Sequence, residues 1–229
     1  RRNVVLGQMK KYGFISSQEF DSLHVIPIDM SKYRMQDHTT GLATYFREYL
    51  RGYLKDWCKT HFKADGTPYN LYKDGLKIHT TINSKMQQYA ESSIREHLAN
   101  DLQPEFFKHW KGRRNAPFDH HLSKSQVDSL IVQAMRRSER YRRLRQAGVP
   151  MDSINLIFNT PVEMTVFSWK GDIDTVMTPL DSIRYYKYFL LAGLMSVEPQ
   201  TAYVRAYVGG IDYRYFKYDH VIQGKRQVG

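Results

Sequence analysis

The chain has 229 residues, 41% of them hydrophobic, a formal net charge of +11 and a single cysteine, Cys58. That length suits one or two domains with a buried core, and one cysteine excludes an internal disulfide or a cysteine-rich metal site. No run approaches the ~18 consecutive apolar residues of a membrane span, no secretory signal opens the chain, and the charge suits an anionic polymer or an anionic membrane surface.

In chain order, Val5, Met9 and Tyr12 fall at i, i+4 and i+7 and predict a helix, stopped at Gly13 by a left-handed cap. Ser16-Ser-Gln-Glu19 fits a capping box that opens a second helix with Phe20 and Leu23 as its apolar positions. An extended stretch from Val25 leads to a helix over 44–57. There Tyr45, Tyr49, Tyr53 and Trp57 repeat every four residues, with Phe46, Leu50 and Leu54 one position later, an aromatic stripe expected in the core. Ala64-Asp-Gly-Thr-Pro68 is turn chemistry, and Lys73-Asp-Gly75 turns into a short β-branched strand ending at Ile82. Asn83 is an N-cap for a helix from Ser84 to Leu102, with Met86, Ala90, Ile94, Leu98 and Leu102 on one face.

Residues 103–121 are polar, basic and aromatic and predict a loop. Ser123 caps a helix running to about Gln146, with Val127, Leu130, Ile131 and Met135 on one face; Gly148 and Pro150 stop it. Its second half holds the densest basic run, Arg136 to Arg145. No RNP-like, zinc-finger or helix-turn-helix signature accompanies that charge, so a solvated helix face is the favoured reading and no nucleic-acid partner is expected. Ile154 to Asn159 reads as a strand. Val162, Met164 and Val166 then alternate, and Lys170-Gly-Asp172 turns into Ile173 to Met177. Pro179 opens a helix through Leu191, ended by Gly193. Strands Leu194–Glu198 and Ala202–Val208, joined by Pro199-Gln-Thr201, put Met195 and Val197 on one face with Val204, Ala206 and Val208. Helices interleaved with short hairpins make the fold class α+β.

Chemistry-bearing motifs are missing. No serine has a lysine three residues later, Ser168-Trp-Lys170 has the wrong spacing, and no S-D-N or K-T-G triplet occurs. The nine histidines form no H-E-x-x-H, Asp119-His-His121 is an isolated loop cluster, and no metal site is assigned. Neither G-x-G-x-x-G nor G-x-x-x-x-G-K-[ST] occurs. The chain as it stands is expected to catalyse nothing and to hold no cofactor.

The wording of three stretches is more specific than their periodicity. Arg1-Arg-Asn-Val-Val-Leu with Met9, then Gly13-Phe-Ile15 and Ser16 to Glu19, resembles the last motif of the glycosyltransferase domain of class A penicillin-binding proteins, the bifunctional peptidoglycan synthases. Asp74-Gly with Ile78, Thr80-Thr-Ile-Asn83 and Met86-Gln87 resembles that family's connection into its transpeptidase domain. Val197-Glu-Pro-Gln-Thr-Ala-Tyr-Val-Arg-Ala-Tyr-Val-Gly-Gly210, followed by an aromatic stretch and Gln223-Gly-Lys-Arg-Gln-Val-Gly229, resembles the opening of that domain. The resemblance covers roughly 1–24, 39–100 and 180–229, in the family's order.

The resemblance implies an internal piece of a longer protein, also expected from the absent initiator methionine. On it, residues 1–30 are the C-terminal tail of the glycosyltransferase domain and 31–82 an interdomain linker. Residues 83–102 are the first helix of the transpeptidase region, 103–178 an insertion, and 179–229 the N-terminal start of the transpeptidase domain. The longer protein would polymerise glycan from lipid II with a divalent cation, and cross-link stem peptides through an acyl-serine intermediate that β-lactams intercept. It would be anchored in the cytoplasmic membrane, with this region periplasmic or extracellular. The nucleophilic serine is expected directly after Gly229. Arg1 and Arg2 are read as scaffold in preference to contacts with lipid-linked substrate, and the insertion is open to a regulatory protein or to glycan. Ala202 stands where the family usually has glycine, which questions the turn geometry. Two packing expectations complete the reading: Met86, Ala90 and Ile94 face Val197, Val204 and Ala206, and residues 211–229 have little to pack against.

Overall fold

The computed structural model describes residues 1–30 and 39–225, which form two compact units divided after Asp37. The molecule is α+β: among the described residues, helices dominate and two separate antiparallel hairpins supply the strands.

The first unit is a helical hairpin of α1 (Arg2–Lys11) and α2 (Ser17–Val25). Gly13 takes φ +75°, and Phe14 and Gly13 donate back to the carbonyls of Met9 and Lys10, a left-handed cap as the sequence predicts. The capping box forms in both directions: Ser16 N–H donates to Glu19 at 2.7 Å and Glu19 N–H to Ser16 Oγ at 3.2 Å. The α1 stripe is rotated from the predicted one. Leu6 and Met9 are half-buried, whereas Val5 and Tyr12 are exposed, because the contact centres on Gly7, where α1 approaches Phe20.

The second unit begins with α3 (Thr44–Thr60). Its aromatic stripe is only partly core. Tyr45 is buried, but Tyr49 and Tyr53 are exposed, because the helix turns Phe46, Leu50, Leu54 and Cys58 inward instead. Cys58 is buried on this helix. The predicted strand before Ile82 is an irregular extended segment that meets the sheet only at its end, where Thr81 Oγ1 donates to Val204 O and Asn83 N–H to Arg205 O.

Asn83 caps α4 (Ser84–His97) by accepting from Lys85 and Met86. The helix does not stop at Leu102. A π-helical turn, Leu98–Leu102, carries it into α5 (Gln103–Trp110), replacing the loop predicted there. Pro104 cannot donate, and the wider turn, with Gln103 N–H bonded to Leu98 O, carries the chain past it.

The predicted 123–146 helix is two helices, α6 (Lys124–Arg137) and α7 (Glu139–Gln146). Ser138, in extended conformation, closes the first by donating to Met135 O at 2.7 Å and caps the second by accepting from Tyr141 N–H. The predicted strand 154–159 is α8 (Met151–Asn159). Ile154, Leu156 and Phe158 alternate in sequence, but burial follows i, i+4: Ile154 and Phe158 are 0% and 1% exposed and Leu156 is 70% exposed. Tyr141, Leu144, Leu180 and Ile183 complete that cluster with Met135.

Strands β1 (Val162–Val166) and β2 (Ile173–Met177) pair as predicted, with Val162 opposite Met177. Helix α9 (Pro179–Tyr186) starts at Pro179 behind a Thr178 cap but ends five residues before the predicted Leu191. Strands β3 (Leu194–Val197) and β4 (Val204–Val208) form the second hairpin. A register irregularity after Ser196 brings Val197 opposite Val204, as the shared face requires, while Met195 pairs with Tyr207 and so lies on the other face. Ala202 adopts φ +56°, so the turn keeps a left-handed residue without glycine. Glu198 N–H donates to Tyr203 O and Ala202 N–H to Glu198 O around it.

Helix α4 packs on β4, but not through the expected face. The residue it buries is Gln87, while Met86 is 40% exposed and Val197 42% exposed. Residues 211–225 are also better packed than expected. Tyr213 and Phe216 are buried in two different clusters, one with Tyr45 and Tyr207, the other with Phe167 and Phe189. Residues 226–229 lie outside the described region.

Candidate functional site

A densely hydrogen-bonded part of the molecule lies where α3, α4 and the end of β4 meet the segment leaving the sheet. Gln87 acts here as a substitute strand. Its Oε1 accepts from Tyr207 N–H at 2.7 Å and its Nε2 donates to Tyr207 O at 2.8 Å. Glu91, one turn on, accepts from Gln87 Nε2 at 2.8 Å and from Ala43 N–H at 2.7 Å, so one i, i+4 pair ties α4 to the strand and to the start of α3. Isolated, Gln87 reads as a helix-surface residue; only the neighbouring strand edge gives it a use.

Gly209 and Gly210 follow β4, and the Tyr45 ring lies against them. A Cβ on Gly209 would stand 2.7 Å from both the Tyr45 ring and the Asp219 carboxylate, and one on Gly210 would overlap the Tyr45 hydroxyl. That hydroxyl donates to Phe216 O at 2.5 Å, across a ring stacked edge-on with Tyr213. Asp219 is 6% exposed, accepts from Tyr207 Oη at 2.7 Å and from Val221 N–H at 2.9 Å, and is followed by His220, whose N–H donates to Gly209 O. These bonds lock the turn at 216–223 onto the strand it follows. Burial, with Asp212 and Asp219 nearby, pushes the Tyr45 phenol well above its ordinary range; burial and the bond to Asp219 do the same to Tyr207.

Beside this clamp lies a cleft of about 480 Å³ lined by Tyr45, Glu91, Arg95, Gly210, Asp212 and Arg214, among others. Arg214 bonds both Asp212 and Asp172, at 2.8 and 2.9 Å, joining the segment after β4 to the turn between β1 and β2. Burial first, then a bond to Asp172, pushes the Tyr215 phenol up to about 12. A second buried amide, Gln103, accepts from Leu190 N–H and Trp169 Nε1 and donates to Tyr188 O, fastening α5 to the chain after α9.

The other singled-out residues are scattered. Arg2 reaches the His24 carbonyl at 3.4 Å, a contact within the α1–α2 hairpin. Asp119, His120 and His121 bring ligand atoms within 4.8 Å of one another, but on three consecutive exposed residues, with Asp119 accepting from His121 N–H. Sequence reasoning also missed one S-x-N triplet, Ser153-Ile154-Asn155, whose Ser and Asn are exposed on α8 to either side of a wholly buried Ile154. The position expected for the nucleophile lies outside the described residues. Among the described residues, this arrangement offers a rigid framework.

Residues 113–190, from the end of α5 to beyond α9, match the family model described as the penicillin-binding protein middle domain. Over that stretch the chain is similar to the penicillin-binding proteins. It is similar along its whole length to penicillin-binding protein 1A of Aquifex aeolicus, at 25% identity, and to that of Escherichia coli, at 23%; a shorter match, 38% of this chain at 30% identity, reaches penicillin-binding protein 1A of Streptococcus oralis. The chain spans about 30% of the length of the first two relatives. No solved structure matches. No helix among the described residues is long and apolar enough to cross a membrane.

Proposed function

We propose that the chain is the connecting framework of a peptidoglycan synthase, joining a glycan-polymerising domain to an acyl-serine transpeptidase domain and setting the start of the second. The observation that carries this reading is the match of the whole chain to about 30% of relatives named penicillin-binding protein 1A, with a middle-domain match inside it. The clamp supports it: Tyr45, Gln87 and Asp219 tie residues 207–223 to α3, α4 and β4.

On this reading, residues 1–30 are the tail of the glycosyltransferase domain and 31–82 a linker, and the transpeptidase region opens at 83. The nucleophilic serine follows Gly229, so both active sites belong to the rest of the protein. Its substrates are lipid II, glycan strands and stem peptides, and β-lactams are its inhibitors. A divalent cation serves the polymerising site. The protein is anchored in the cytoplasmic membrane with this region outside it.

The test is covalent labelling by a fluorescent penicillin, followed by denaturing electrophoresis. The 229-residue chain is expected to stay unlabelled, and a protein continuing through the transpeptidase domain to carry the label. A labelled band from the chain itself, or a folded longer protein without one, refutes the reading.

A further inference from the structure

Two of the cations in the middle of the chain, Arg137 and Lys187, border a concavity. A cleft of about 420 Å³ lies between Phe118, Leu130 and Ala134 on one hand and Arg137, Ser138 and Lys187 on the other. Its floor is apolar, with Phe118 half-buried and Leu130 41% exposed. Its rim is cationic: Arg137 closes α6, Lys187 follows α9, and both are exposed.

Arg136, Arg140, Arg142, Arg143 and Arg145 continue the charge, with Glu139 the one acid in the run. No ion pair forms to these arginines or to Lys187 among the described residues; the nearby carboxylates of Asp128 and Asp181 both serve Arg184. A merely solvated surface mixes signs, whereas this run, from the end of α6 through α7, sets one acid against six arginines. Nor is α7 free to lie in a bilayer on an apolar side, because Tyr141 and Leu144 are spent on the Met135–Ile154–Phe158 cluster.

We propose that this cleft docks an acidic polypeptide segment carrying one bulky apolar side chain. The apolar group enters against Phe118, Leu130 and Ala134, and flanking carboxylates pair with Arg137 and Lys187, with Arg136 and Arg140 steering from outside. Arginine suits the task because its planar fork meets a carboxylate through two bonds. The apolar floor supplies the desolvated centre that protein interfaces need and that a purely electrostatic surface lacks.

The test uses the 229-residue chain and a fluorescein-labelled peptide of glutamates and aspartates around one central tryptophan, read by anisotropy. Saturable binding that weakens with salt is expected. Reversing the rim with Arg137→Glu and Lys187→Glu raises Kd by at least ~10-fold, while Arg142→Glu with Arg145→Glu, further along α7, changes it less than ~3-fold. Replacing the peptide's tryptophan by glycine weakens binding ~5-fold or more. Thermal unfolding checks that each variant folds, and the two peptides on the unaltered chain decide the matter if one does not. Absent binding, equal losses at the two arginine sites, or indifference to the tryptophan overturns the proposal. So does a chain that ignores the peptide but sediments with phosphatidylglycerol vesicles and not with phosphatidylcholine ones, which assigns the patch to lipid.

Discussion

The side-chain amide of Gln87 bonds both the N–H and the C=O of Tyr207, doing for that residue what a neighbouring strand would do. Gln87 is fully buried, so its loss leaves two backbone groups without water or partner. Gln87→Leu is expected to destabilise the chain by about 2–4 kcal/mol, the cost of two unsatisfied buried groups. Urea unfolding measures it.

Gly209 and Gly210 give Tyr45 its place. Gly210→Ala sets a methyl into the Tyr45 hydroxyl and is expected to cost about 1–3 kcal/mol, as overpacking does. Tyr45→Phe removes that oxygen and the bond to Phe216, yet should soften the Gly210→Ala effect. The double-mutant cycle should therefore show a coupling energy of about 0.5–3 kcal/mol. Strict additivity would mean that the two residues do not touch.

Ala202 holds a left-handed conformation that costs an L-residue roughly 1–2 kcal/mol. Ala202→Gly relieves that strain but frees the unfolded chain, so a net gain of about 0.5–1 kcal/mol is expected. Thermal unfolding checks the sign: a loss would mean that the methyl group makes a contact worth more than the strain.

Alkaline pH should loosen the clamp. Tyr45 and Tyr207 have pKa values above the ordinary phenol value of 10.0, mainly through burial. The folded chain keeps their protons where the unfolded chain has lost them, so their contribution is complete below pH 10 and falls as pH rises above it. Denaturant unfolding across that range should show the decline, and Tyr45→Phe should flatten it. A stability independent of pH there would contradict the buried phenols.

Helix α8 can be told from a strand by two substitutions. Ile154→Ala removes a wholly buried side chain and is expected to cost about 2–5 kcal/mol. Leu156→Ala, at an exposed position, should cost less than about 0.5 kcal/mol. In a strand with alternate residues facing one core, the two would cost alike.

Local physical chemistry made much of the chain legible from sequence. A Ser-x-x-Glu box, an Asn cap, a proline at a helix start and a glycine past a helix end act over a few residues, and each is found where the sequence puts it. The order of three motif-bearing stretches indicated the family for the same reason, since motif wording survives without knowledge of packing. What sequence left open was decided at a distance. The predicted strand 154–159 became part of a helix because of a pocket built by α6, α7 and α9, and the predicted core stripe was overturned at Tyr49 and Tyr53 by which side α3 turns inward. The face of α4 depended on a strand about 120 residues away offering Gln87 its two backbone bonds. Burial of an amide is favourable only when both its donor and its acceptor are met, and only the tertiary structure brings those groups together.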